Sequence, residues 1–238
     1  MILEARSLFR SFGGLIAIKA LDLCVSEGEI VGLIGPNGSG KTTFFNVVSG
    51  VLKPDEGTIT FSGTDITGLK PHKICQIGIA RTFQLTKPFA QMTTLQNVMI
   101  GRMYGSEPVQ SIKQATEECE SILEFVGLGE KALFLASSLG IVERKRVEIA
   151  RALATKPKLL LLDEMMSGLT QTEMEEALRL VKAIADSGVT LIVVEHVMKA
   201  ILDISSKLIV LNYGEKIAEG APQEVLKNPK VIEAYLGE

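Results

Sequence analysis

The pattern of apolar and polar positions changes character twice along the chain. It opens with short β-type runs, "MILEA" and "IAIKALDLCV", with a turn at Glu27-Gly28. "EIVGLIG" follows as a short apolar strand ending on glycine, and a helix is predicted to start near Lys41 and stop at Gly50. "GTITFSG" alternates with the two-residue period of a strand and closes in a Ser-Gly turn. From Lys87 to Val142 the strand signal fades, and "TTLQNVMIGRMYG" and "SIKQATEECESILEFVGL" read as helices of an insertion. The remainder alternates strand and helix: "KLLLLDE", "TEMEEALRLVKAIADSG", "VTLIVVEH", "VMKAILDIS" and "KLIVLNYGEKIAEG". The apolar strands Leu159–Leu162 and Leu191–Val194 suit a parallel sheet covered on both faces. Thr172 and Glu175 fit a capping box; Met174, Ala177, Leu178, Val181, Ile184 and Ala185 then form one apolar stripe, read as core, and Gly188 follows its end.

Composition narrows the classes. The 238 residues suffice for one large α/β domain with a substantial core. A net charge of −3 gives no global basic signal, so no nucleic-acid partner is expected. No apolar run reaches the roughly 18–20 residues of a membrane span, and "MILEARSLFR" lacks the apolar region of a signal peptide. A soluble, cytosolic chain is therefore expected. Cys24, Cys75 and Cys119 follow no metal-ligand spacing, and with only His72 and His196 a multi-histidine metal site is excluded.

The candidate chemistry begins with "GPNGSGKTT". Gly35, Pro36, Asn37, Gly38, Ser39, Gly40, Lys41, Thr42 and Thr43 fill the pattern G-x-x-x-x-G-K-[ST] between a strand and a helix. Glycines let backbone N–H groups turn inward around phosphate oxygens, and the following helix aims its positive end at the anion. Lys41 is expected to reach the β- and γ-phosphates, and the Thr42 hydroxyl to ligate Mg²⁺. "LLLLDE" supplies the acidic strand that such a loop needs. Asp163 is expected to meet Mg²⁺ through water, and Glu164 to orient a water for attack on the γ-phosphate. Gln84, in "ARTFQ", can touch both metal and water. His196 ends the strand "LIVVEH".

Together these stretches, with "EIARALA" before "LLLLDE", resemble the ATP-binding cassette (ABC) ATPases over essentially the whole chain. "GIARTFQLTKPFAQMTTLQNVMIG" and "VLNYGEKIAEGAPQEVLKNPKVIEAYLGE" are similar to the ATP-binding subunits of branched-chain (hydrophobic) amino-acid importers. The resemblance implies an α/β P-loop NTPase core with a mostly parallel sheet, an N-terminal antiparallel β subdomain and a helical subdomain. Residues 1–86 and 143–238 would form the core, and 87–142 the helical part. It implies ATP and Mg²⁺ as cofactors, with Glu164, His196 and Gln84 catalytic, Thr42, Gln84 and Asp163 at the metal, and Phe12 stacked on adenine. It also implies dimers, with each ATP held between one P-loop and the other subunit's signature loop. The implied partners are integral membrane permeases, a second cassette (the same chain or a paralogue) and, indirectly, a solute-binding protein. The implied location is the cytoplasmic side of the membrane, peripherally bound. Leu85, Phe89, Met92 and Leu95 are candidate permease contacts or core. Other solutes (urea, amides, exported lipid) and a low-turnover ATP-binding switch are the alternatives.

The signature loop is where the pattern departs. Anchored on "EIARALA", Leu139, Gly140, Ile141, Val142 and Glu143 stand where the family reads Leu-Ser-Gly-Gly-Gln. The serine hydroxyl is missing, Val142 resists positive φ, and Glu143 brings the wrong charge. A helix N-terminus remains. Arg144, Lys145 and Arg146 could offset Glu143, although a solvated basic face is the commoner role for such a run. Met165 replaces a usual proline, and Thr170 a frequent aspartate.

Overall fold

A computed structural model describes residues 1–83 and 87–236. Two sheets account for the alternating patterns. The first is antiparallel, in the order β2-β1-β4-β5: β1 (Leu3–Phe12), β2 (Leu15–Val25), β4 (Glu56–Phe61) and β5 (Thr64–Asp65). The opening run extends well past "MILEA", because Gly13-Gly14 lets β1 turn directly into β2.

The second sheet has the order β10-β9-β3-β8-β7-β6. β3 (Ile30–Ile34), β6 (Ile79–Arg81), β7 (Leu159–Asp163), β8 (Thr190–Val194) and β9 (Lys207–Asn212) run parallel, and β10 (Glu215–Gly220) pairs antiparallel at the edge. Helices complete the architecture: α1 (Lys41–Val48), α2 (Pro71–Gln76), α3 (Thr94–Tyr104), α4 (Ile112–Phe125), α5 (Ile141–Ala154), α6 (Gln171–Asp186), α7 (Met198–Ile204), α8 (Pro222–Val225) and α9 (Pro229–Leu236). The expected limit of the helical part, at Val142, falls within the first turn of α5, which packs on both α3 and α4.

β7 shows why its apolar run is continuous. Leu159 and Leu161 point into a core shared with α1 and the antiparallel sheet, where Phe44 and Phe45 are fully buried. Leu160 and Leu162 point the other way, to α3–α6. Successive strand side chains face opposite sides, so a strand covered on both needs apolar residues at every position. Each such leucine contributes about 2 kcal/mol through burial.

The start of α6 differs from the reading above. The capping box is Thr170 with Glu173, not Thr172 with Glu175. Both pairs fit the same spacing. The earlier one takes the role because the helix begins at Gln171, leaving Thr172 inside the first turn. The stripe from Met174 to Ala185 is core as expected, and Gly188 takes φ +94° just past the end. Thr170→Ala should lower stability by about 1 kcal/mol and Thr172→Ala by far less. Chemical denaturation of the two variants checks the assignment; equal losses would contradict it.

Candidate functional site

The phosphate loop leaves the sheet at its centre, where β3 ends between β8 and β9. Its shape requires glycine at two points. Gly35 has φ +149° and Gly40 φ +108°. A β-carbon at Gly35 would collide with the Leu211 carbonyl oxygen, and one at Gly40 with that of Ala17. Lys41 is buried, and its ammonium donates to the carbonyls of Gly35 (2.7 Å) and Pro36 (2.8 Å) and to Ser39 Oγ (3.3 Å). Burial pulls its pKa below the ordinary lysine range, against the opposing charges of Glu164 and Asp163. The first turn of α1 holds no acidic residue, so no side chain of that turn offsets the positive end of the helix, which favours an anion.

One cavity gathers most of the predicted residues. Phe12, the run from Asn37 to Thr43, Glu164 and His196 line it together. The Phe12 ring is half exposed there, with the Arg10 guanidinium 4.9 Å from its centre. His196 Nε2 lies 2.7 Å from Glu164 Oε1. Both residues follow the carboxyl ends of parallel strands, where open α/β sheets place their ligands.

A neighbouring cavity shares Thr42 and adds Asp163, Arg81, Phe83 and Lys87. Asp163 is 3% exposed, and its carboxylate accepts from Arg81 at 2.8 Å. A hydroxyl and a carboxylate facing one cavity are hard oxygen donors of the kind Mg²⁺ takes alongside water and phosphate. Among the described residues no group of three or more His, Cys, Asp or Glu could hold a metal alone. Gln84 and Leu85 lie outside the described residues. Of the other candidate permease contacts, Leu95 is core, Met92 is partly buried and Phe89 is exposed.

The signature stretch resolves differently from its sequence. Gly140 caps α5, and Val142 has no positive φ, so its branched side chain meets no backbone strain there. Glu143 turns back on its own helix. Its carboxylate accepts from the Gly140 N–H at 2.8 Å and pairs with Lys131. Lys131, ahead of that N–H bond, holds it below the usual carboxylate range. The expected basic run is neither its main counterion nor a solvated face. Arg144 donates to the Ser137 carbonyl, Lys145 to the carbonyls of Met165 (3.0 Å) and Ser167 (2.5 Å), and Arg146 to Glu176.

Arg81, Glu148 and Glu195 escaped the sequence reading, and Lys145 was read there only as part of a basic run. Arg81 pairs with Asp163 and donates to Asn46 of α1 at 2.6 Å. Glu148 accepts from the N–H groups of Phe83 (3.4 Å) and Lys87 (3.1 Å), and burial pushes its pKa up. Lys145 grips the turn after β7. Glu195, 5% exposed, accepts from the Met166 N–H at 2.7 Å. The available signal was a charge inside an otherwise apolar run, as in "LIVVEH" and "RVEIARALA". Beside the site lies an apolar groove walled by Val51, Ile79, Phe83, Ile100 and Tyr104.

Burial pushes the Glu195 carboxyl from 4.5 up to about 7, and the nearby Glu164 charge adds to the rise; the Met166 N–H and Lys145 oppose it. The unfolded chain releases this proton near 4.5, whereas the folded chain holds it to about 7. Stability from the neutral carboxyl is thus complete below the unfolded value and lost as pH rises through the folded one. Glu195→Gln keeps an acceptor and removes the titration. Its melting temperature should gain on the parent's between about pH 5 and pH 8. A constant difference across that range would contradict the buried proton.

Comparison with known proteins fits this geometry. The ABC transporter family model matches residues 18–167, and the model for branched-chain amino acid ATP-binding cassette transporters matches residues 215–238. The chain is 38% identical over 250 residues to the high-affinity branched-chain amino acid transport ATP-binding protein BraF of Pseudomonas aeruginosa, covering 100% of this chain and 98% of that one. It is also similar to the crystal structure of the ADP conformation of MJ1267, an ATP-binding cassette of an ABC transporter. The TM-score is 0.91 at 34% identity, over 100% and 99% of the two chains. A dimeric post-hydrolysis structure of the cassette MJ0796, bound to ADP and Pi, matches with TM-score 0.83 at 26% identity, over 93% and 99%. The chain belongs to the ABC transporter family, as one of its ATP-hydrolysing cassettes.

Proposed function

We propose that this cassette energises the import of branched-chain or other hydrophobic amino acids through membrane permeases. The observation that carries the reading is the single cavity shared by Phe12, the phosphate loop, Glu164 and His196. The match of residues 215–238 to the branched-chain model and the names of the full-length relatives support the solute class.

In this reading ATP lies along the cavity with its adenine on Phe12. The backbone from Gly35 to Thr43 wraps the phosphates, and Lys41 exchanges its loop carbonyls for β- and γ-phosphate oxygens. Thr42, Asp163 through water, and Gln84 would hold Mg²⁺, which supplies neutralising charge to the phosphates when bound. Asp163 must then share its carboxylate between Arg81 and the metal-bound water. Glu164 orients the attacking water, and His196, 2.7 Å away, holds that carboxylate in place. The trans face is Gly140, Ile141, Val142 and Glu143, presented to the other subunit's γ-phosphate by the start of α5. With Glu143 turned back onto Lys131 and the Gly140 N–H, this face offers a helix end rather than side-chain donors. That favours pairing with a paralogous cassette.

The permeases dock in the apolar groove at Val51, Phe83 and Tyr104, on the cytoplasmic side of the membrane. No described helix is long and apolar enough to cross a bilayer, which suits a peripheral subunit held by such contacts.

Glu164→Gln tests the reading. The variant should bind Mg-ATP yet hydrolyse it about a hundredfold or more slowly. Sedimentation with and without Mg-ATP reads the trans face. An ATP-dependent dimer would show that Gly140–Glu143 grips phosphate between identical chains; a monomer that binds ATP would assign that task to a paralogous cassette. Undiminished hydrolysis would remove Glu164 from its role.

A further inference from the structure

The turn after β7 has an unfavourable backbone. Glu164 has φ +49°, a left-handed conformation that costs a non-glycine residue of order 1 kcal/mol. Such a residue persists only where its surroundings over-determine it. Here the turn is gripped from several sides. The Glu164 N–H donates to the Val194 carbonyl at 2.9 Å, tying the turn to β8. The Met166 N–H donates to Glu195 Oε1 at 2.7 Å. From the opposite element, α5, the Lys145 ammonium donates to the carbonyls of Met165 at 3.0 Å and Ser167 at 2.5 Å.

Three consecutive residues, Met165, Met166 and Ser167, thus have backbone groups bonded to two ionisable side chains. Those donated by the charged Lys145 ammonium are about twice as strong as neutral hydrogen bonds. Met165 and Met166 are themselves buried, whereas Ser167 is exposed, so water is kept from the partners of the first two. Methionine at 165 has no ring to fix φ, as a proline would, so the turn takes its rigidity from these bonds.

We propose that Lys145 and Glu195 are positioning residues for ATP hydrolysis: they clamp the Met165–Ser167 turn from two sides and thereby hold the Glu164 carboxylate against His196. The inference rests on the reading of Glu164 as the water-orienting residue. It also gives α5 a second task. The first turn of this helix carries Gly140–Glu143, the stretch assigned to the other subunit's phosphate, and Lys145 lies in the next turn. A shift of α5 when a phosphate is gripped in trans reaches the cis Glu164 turn through one ammonium group. The two halves of the site are therefore coupled within a single chain.

The test uses the full chain, labelled with ¹⁵N, with exchange of the Met166 amide and steady-state ATP hydrolysis measured in parallel. Glu195→Ala should speed exchange of that amide by about tenfold or more. It should lower kcat by about ten- to a hundredfold while the KM for ATP stays within about twofold. Glu195→Gln keeps an acceptor, and should restore both the amide protection and most of kcat. Lys145→Met should show the same split, and the double variant with Glu195→Ala should lose less than the product of the single effects, because both act on one turn. Unchanged protection of Met166 in Glu195→Ala, or a raised KM with kcat intact, would overturn the clamp. If Glu164→Gln, measured alongside, hydrolysed normally, the role of Glu164 would fail while the exchange data still decided whether the clamp exists.

Discussion

Burial of β7 and β8 on both faces fixes where the strand-end residues of the candidate site stand. Each strand carries five buried residues, and neither face meets water. Their parallel pairing, Leu159 with Thr190 through Asp163 with Val194, sets the two strand ends side by side. Glu164 and His196 lie just beyond those ends, so a 2.7 Å contact follows from register rather than from loop chance. A slip of one residue would exchange the two faces of the strand and move the carboxylate away from the loop. The phosphate loop depends on the same sheet, because Gly35 fits against the Leu211 carbonyl only while β3 stays paired with β9.

A second constraint is charge. The site brings Asp163, Glu195 and Glu148 to the rim of an apolar core, where unpaired carboxylates are costly. Each is handled differently. Asp163 has Arg81, itself 7% exposed at the side chain. Glu148 takes two backbone N–H groups and Arg151 at 3.5 Å. Glu195 takes the N–H groups of Met166 and His196, with Lys145 nearby, and a raised pKa. These partners tie α1, α5, β6, β7 and β8 together around the candidate site. Phosphate charge arriving at α1 would thus be felt at β6 through Arg81 and Asn46, and at α5 through Glu148.

Much of this was legible in the sequence, for physical reasons. A strand covered on both faces must be apolar throughout, which marked β7 and β8. A loop that wraps phosphate needs glycines at particular backbone shapes, which marked Gly35 and Gly40. The hidden part concerns partners. Nothing in "LGIVERKR" says that Glu143 will find Lys131, or that Lys145 will reach across to Met165 and Ser167. Those contacts depend on how α5 lies over the sheet. The cap of α6 was ambiguous for a simpler reason: Thr170-x-x-Glu173 and Thr172-x-x-Glu175 satisfy one pattern, and only the helix start separates them.

The same packing changes how the altered signature stretch should be weighed. By composition it looks unfit for phosphate, with valine for glycine and glutamate for glutamine. In the fold, Val142 sits in ordinary helical backbone, and the Glu143 charge is folded back and neutralised by a lysine from outside the motif. The backbone end of the helix is left as the feature to offer an anion, worth about 0.3–1 kcal/mol on the surface and up to about 2 when partly buried. That is a weaker grip than several side-chain donors give. In the proposed dimer a trans face reduced to this helix end would hold the partner's nucleotide more loosely than a face with side-chain donors, so closure would depend more on what else holds the two subunits together.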